Sequence, residues 1–135
     1  MAYIDWSDSF KIDIVQIDAQ HQNLVKILNQ LYESIHSGKD KDIIPKTLME
    51  MINYSIIHFR TEEKLMIQHK YPDYDKHKEK HEYFIEEIKK FTFEIQKGNL
   101  EIANTIASFL KDWLTTHIQE TDSAYGPFLK GKGVK

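Results

Sequence analysis

Residues 58–81 read H-F-R-T-E-E-K-L-M-I-Q-H-K-Y-P-D-Y-D-K-H-K-E-K-H, and the rest of the chain is organised around them. His58 and Glu62 stand four residues apart, a Tyr71-Pro72-Asp73 break follows, and His77 and His81 again stand four apart. On a helix, such pairs lie about 6 Å apart along the axis and about 40° apart around it. Each pair therefore points at one spot on one side of its helix. If the break turns the chain back, the two pairs face each other across an antiparallel pair of helices. Three imidazoles and a carboxylate aimed at one small volume point to a metal site.

The composition narrows the alternatives. A chain of 135 residues reads as one domain, 1–135, long enough to bury a core. Acids and bases are interspersed at a net charge of −3, which gives no case for nucleic-acid binding. With only three prolines and five glycines, long helices are favoured over many short strands. The absence of cysteine excludes disulfides, iron–sulfur clusters, thiolate zinc sites and cysteine nucleophiles. Met1-Ala2-Tyr3-Ile4-Asp5-Trp6 is too polar for a signal peptide, and no apolar run approaches transmembrane length. A cytoplasmic protein without a membrane partner is expected. Oligomeric state is not legible, and a monomer is the default.

Residues 1 to about 16 show no helical period and read as an extended arm anchored by Trp6, Phe10, Ile12 and Ile14. Asp18 is then a good N-cap. Ile17, His21, Leu24, Leu28, Leu31 and Ile35 follow at helical spacing, so a helix over about 18–37 is expected, ended by Gly38. A second helix, about 42–69, starts near Asp42 with Pro45 in its first turn. Its stripe is Ile44, Leu48, Met51, Ser55, His58, Glu62 and Leu65. A third, about 73–97, is capped by Asp73 and carries Tyr74, His77, His81, Phe84, Ile88, Phe91 and Ile95. A fourth, about 99–121, starts near Asn99 and carries Ile106, Leu110, Trp113 and His117. The last residues, 131–135, read as frayed. The sum is an all-α protein, an antiparallel up-down-up-down four-helix bundle with an extended N-terminal arm.

A lone histidine on an apolar stripe is more often a hydrogen-bonded core residue than a ligand. Five of them on four helices, with Glu62, are another matter. An ionised carboxylate in a bundle core costs several kcal/mol unless it is paired or metal-bound, and no lysine or arginine shares the stripes. In the bundle, His21, His58, Glu62, His77, His81 and His117 all fall at the same end. If two ions are bound, a second carboxylate is required, and Asp122 is the candidate. Five residues after His117 on a regular helix, it would point about 140° away. Either the helix ends there or it contains a π-type widening. Glu63 and Glu120 are the competing acids. Glu63, displaced by about 100° from Glu62, is expected to face solvent or a neighbouring helix. His36 and His69 read as surface residues.

The assembled pattern is His21, His58-x-x-x-Glu62, His77-x-x-x-His81 and His117-x-x-x-x-Asp122. With Ile17-Asp18-Ala19-Gln20-His21, His58-Phe59-x-x-Glu62-Glu63, Tyr71-Pro72-Asp73-Tyr74 and Trp113-Leu114-x-x-His117-Ile118, it resembles the hemerythrin family in its bacterial single-domain form. The resemblance spans roughly residues 3–128. It implies a non-haem centre of two iron ions, bridged by carboxylates and an oxo or hydroxo group, that binds O₂ reversibly. By the same resemblance His77, His81 and His117 would ligate one iron, and His21 and His58 the other, which keeps an open position. Glu62 and Asp122 would bridge. Leu24, Trp113, Leu114 and Ile118 are the candidate walls of an apolar O₂ pocket, a role compatible with simple core packing. The implied function is an oxygen carrier, storage or delivery protein rather than an enzyme. A free-standing sensor or scavenger, with NO as a second candidate ligand, is the alternative within the family. A ferritin-like iron-oxidising enzyme needs two Glu-x-x-His motifs, and the chain has one, residues 33–36, at the wrong end. A zinc hydrolase needs His-Glu-x-x-His, and residues 77–81 put the acid at the wrong step.

Overall fold

The computed structural model describes residues 4–37, 43–98 and 100–135. Among them, four long helices carry the chain: α1 (Val15–Ser37), α2 (Ile43–Gln68), α3 (Tyr74–Gln96) and α4 (Ala103–Thr116). A π-helical turn (His117–Asp122) joins α4 to a shorter α5 (Ser123–Gly131). No strand is present among the described residues. α1 packs on α2 and α4, and α3 packs on the same two helices. That ring of neighbours is the one an up-down-up-down chain makes, and the fold is an all-α bundle. No described helix is long and apolar enough to cross a membrane.

The apolar stripes form the core. Ile17, Leu24, Leu28 and Leu31 from α1, Leu48 and Met51 from α2, Phe84 and Ile88 from α3, and Ile106 and Leu110 from α4 are all essentially inaccessible to solvent. Each such side chain contributes about 1.5–3 kcal/mol when fully buried. This burial, more than intrinsic propensity, holds helices of these lengths together.

Three details differ from the sequence expectation. Helix α1 begins at Val15, so Asp18 lies within the first turn and is not its N-cap. Its carboxylate accepts hydrogen bonds from the Ile12 and Asp13 amides instead, at 2.9 and 3.1 Å, and folds the arm onto the helix. A second clamp is Asn29, whose amide group bonds both the N–H and the carbonyl of Ile4 at 2.9 Å.

The second difference is the end of the bundle. The fourth helix does not stop near 121 but runs through the π turn into α5, with Gly126 and Pro127 inside it. Gly126 suits a close approach: a Cβ there would sit 3.2 Å from the Ile12 carbonyl oxygen, tighter than an ordinary contact. The arm crosses the helix at that point. Tyr125 and Leu129 join Ile12, Ile14 and Ile17 in a second buried cluster.

Third, the tail is not frayed. The Val134 amide bonds the Leu129 carbonyl at 3.1 Å and the Gly133 amide bonds the Lys130 carbonyl at 3.0 Å. With Gly133 at φ 89°, this is a Schellman cap. Val134 packs against the second cluster. The same cap ends α2, with Lys70 in the left-handed position at φ 58° and Tyr71 bonding back to Met66 at 2.9 Å. It turns the chain before Pro72. Asp73 occupies the N-cap position of α3 without a side-chain bond to the helix. The expected boundaries at Gly38, Asp42 and Asn99 lie outside the described residues, as does the Glu120 side chain.

Candidate metal centre

Each element brings its residues to one end of the bundle. α1 supplies His21, α2 supplies His58 and Glu62, α3 supplies His77 and His81, and the π turn supplies His117 and Asp122. None of the seven is more than 4% exposed. They form two groups whose ligand atoms lie within 4.8 Å of one another: Glu62, His77, His81, His117 and Asp122, and His21, His58, Glu62 and Asp122. The two carboxylates belong to both.

The oxygens divide cleanly. Glu62 Oε1 faces His21 Nε2 at 3.3 Å and contacts His58 Nε2, while Oε2 faces His77 Nε2 at 3.0 Å and His81 Nε2 at 3.4 Å. Asp122 Oδ2 faces His21 Nε2 at 2.9 Å, while Oδ1 faces His77 at 2.8 Å and His117 at 3.0 Å. Each acid thus presents one oxygen to each group. Asp122 reaches inward because the i→i+5 winding of the π turn sets residues five apart on one side.

These atoms converge without hydrogen-bonding well. Both Asp122 oxygens and His58 Nε2 are buried with no hydrogen-bond partner among the described residues. A buried polar atom left this way costs about 1–3 kcal/mol. His81 Nε2 and His117 Nε2 face each other at 3.1 Å, and only one of them can carry a proton there. Five imidazoles and two carboxylates, arranged around two points with unsatisfied lone pairs turned inward, fit a pair of cations of borderline to hard character.

The electrostatics agree. Burial opposes charge on every histidine, yet His21 and His77 are pushed up to about 9 because the Asp122 and Glu62 carboxylates lie against both. His81 is raised against its burial by Glu62 and Glu63. In His58 and His117 burial prevails and the value falls. Glu62 and Asp122 are depressed despite full burial by the histidines around them. Positive charge is what the two acids demand.

Two aromatic rings stack on the cluster, and the expected aliphatic wall residues lie in the core. Leu24, Leu114 and Ile118 are buried in the main core, and Trp113, half-buried, stacks on the His117 ring at 4.2 Å and 13°. Phe59 stacks on His81 at 3.9 Å and 5°. His36 is exposed against Tyr32, and His69 is half-buried just past α2; neither belongs to the two groups.

Sequence reasoning missed four neighbours. Glu63 faces the neighbouring helix as expected, but its bond there went unread: its Oε2 accepts the His81 Nδ1 hydrogen bond at 2.9 Å. Gln20 Oε1 does the same for His58 Nδ1 at 2.6 Å. Phe59, beside His58 in sequence, covers His81. Tyr125, three residues after Asp122 and so on the same helix face, is fully buried edge-on to His77 at 5.1 Å. Burial, with Glu62 and Asp122 nearby, pushes its phenol well above the ordinary value. The available signals were adjacency to a ligand and the i, i+3 step.

A four-helix bundle closed around seven buried histidine and carboxylate side chains that could hold metal has the make-up of a non-haem metal-binding protein. The family model described as the hemerythrin HHE cation binding domain matches residues 13–129. A bacteriohemerythrin of Stenotrophomonas maltophilia (strain R551-3) is 32% identical over 96% of this chain and 84% of its own length. A myohemerythrin of Theromyzon tessulatum is 29% identical over 94% and 91%. A solved crystal structure of wild-type hemerythrin superposes with a TM-score of 0.88 at 28% identity, covering 95% of this chain and 98% of that one. The chain belongs to the hemerythrin family, a family of O₂-binding proteins.

Proposed function

We propose that this chain binds O₂ reversibly at two non-haem irons, with His77, His81 and His117 holding one and His21 and His58 the other. Glu62 and Asp122 lie between the two groups. The observation that carries this reading is the division of each carboxylate, one oxygen toward each histidine group. When bound, iron supplies the electrons that O₂ takes up and returns.

The protein's contribution is placement and exclusion. Three histidines on one side and two on the other leave the His21–His58 side with fewer protein donors, and so with room for a small ligand. Leu24, one turn after His21, together with Leu114 and Ile118, is buried carbon that offers neither protons nor nucleophiles. Trp113 and Phe59 fix the planes of His117 and His81 by stacking. A dry site of this kind favours release of O₂ over its reduction. Carriage, storage or delivery of O₂ follows.

The test is an optical titration with O₂ of the anaerobically reduced, iron-loaded protein, with iron counted by elemental analysis. A charge-transfer band that appears with O₂ and vanishes on its removal, at two irons per chain, is expected. One metal per chain, or zinc in preference to iron after iron-replete expression, would overturn the reading.

A further inference from the structure

Two of the five histidines are held from behind by different chemistry. Gln20 Nε2 donates to Thr61 Oγ1 at 3.3 Å, and the Thr61 hydroxyl spends its one proton on the Ile57 carbonyl at 3.0 Å. Thr61 can therefore only accept from Gln20, which orients the amide. Gln20 Oε1 must face His58 and accept its Nδ1–H at 2.6 Å. The His58 tautomer is set, with the Nε2 lone pair inward, by a neutral group.

His81 is held by an anion. Its Nδ1–H donates to Glu63 Oε2 at 2.9 Å, and Phe59 stacks flat on its ring. Glu63 keeps an edge in water, its side chain 20% exposed, so hydration offsets the cost of its charge. It lines an open surface cavity of about 340 Å³, shared with Arg60, Lys78 and Glu82. A carboxylate behind a ligating imidazole raises its basicity, and loss of such a partner typically costs about 10–100-fold in metal affinity. A neutral amide fixes the ring with no such push.

We propose that Glu63 and Gln20 are positioning residues that make the two halves of the centre electronically unequal, Glu63 strengthening the His81 side as an electron donor while Gln20 leaves the His58 side neutral. This rests on the iron reading above. It predicts that the His81 iron is the one better stabilised in its ferric form.

Three near-isosteric variants test it. Glu63→Gln keeps the acceptor and removes the charge; Gln20→Glu adds a charge behind His58. Glu82→Gln removes a charge from the rim of the same cavity, at a side chain 65% exposed that bonds no ligand. The readouts are iron retention against a chelator in the ferrous and ferric states, and the midpoint potential followed optically. In Glu63→Gln, ferric retention should weaken about tenfold relative to ferrous. A tenfold change corresponds to a rise of about 59 mV per electron. Gln20→Glu should move the potential down, and Glu82→Gln far less than either. Shifts of the same sign in Glu63→Gln and Gln20→Glu, or Glu82→Gln matching Glu63→Gln, would overturn the proposal. If Gln20→Glu does not load iron, the comparison of Glu63→Gln with Glu82→Gln decides. Wild-type protein lacking two irons would overturn the functional reading itself, whereas full loading with unchanged potentials overturns only this inference.

Discussion

His117 Nε2 and Asp122 Oδ1 lie 3.0 Å apart although five residues separate them along the chain. On a regular α-helix they would point about 140° apart. The π turn removes that divergence. Such a turn is a local departure from the favoured winding, and it is held in place by what its side chains meet. Both Asp122 oxygens are buried and turned toward the histidine nitrogens that share the metal-binding groups with them.

Metal removal should therefore loosen this segment before the rest of the bundle. Amide hydrogen exchange over residues 117–122 is expected to be markedly faster in metal-free than in iron-loaded protein, with the middle of α1 and α2 changing little. Equal rates in the two forms would show that the turn is stable by itself.

The metal-free protein should also have a specific pH dependence. His21 and His77 are held at about 9, above the ordinary 6.5, by Asp122 and Glu62 acting against burial. A folded value above the unfolded one stabilises fully below 6.5, and that contribution is lost as pH rises through 9. Glu62 and Asp122 are shifted downward, so their contribution is present above the ordinary carboxylate range and fades in acid. Denaturant midpoints of metal-free protein should fall steadily from pH 6.5 to 9. Apparent metal affinity should rise over the same window as the protons leave. A midpoint that climbs between these values would contradict the charge arrangement.

Leu24 follows His21 by one turn and is 1% exposed. Leu24→Ser should admit water and proton donors beside the His21–His58 pair without removing a ligand. Iron content should hold at the wild-type level, while the oxygenated form decays several-fold faster to the oxidised state. Decay at the wild-type rate, with iron fully loaded, would place O₂ elsewhere on the centre.

The crossing of the arm over α5 can be tested by two glycines in one helix. Gly126→Ala puts a methyl group 3.2 Å from the Ile12 carbonyl oxygen, an overpacking worth about 1–3 kcal/mol. The thermal midpoint should drop by a few degrees. Gly131 has nothing within 4 Å of the same position, so Gly131→Ala should be neutral or slightly stabilising. Opposite signs are the expected result.

The bundle was legible because its helices keep a regular apolar step, and the ligand cluster because charged and imidazole groups interrupt that step where nothing else could satisfy them. Asp122 was legible only through the others: alone it reads as a solvated acid. What escaped was set by contacts distant in sequence. The fourth helix was expected to end near 121, and its continuation through Gly126 follows the passage of Ile12 over that glycine. Asp18 reads as an N-cap, yet bonds the arm. Glu63 was expected to face solvent or a neighbouring helix, but its partner there, His81 on α3, was not legible from α2 alone.

The arm and α5, meeting at Ile12 and Gly126, also impose an order on assembly. Asp122 and Tyr125 come well after the arm in the chain, so the arm is synthesised before the segment it packs against. A nascent chain exposes His21, His58 and Glu62 well before it has the second acid or the surface that clamps the arm. Contacts this distant form late, since loop closure precedes any gain from them. The full set of seven side chains is therefore assembled only once the first and last helices have met.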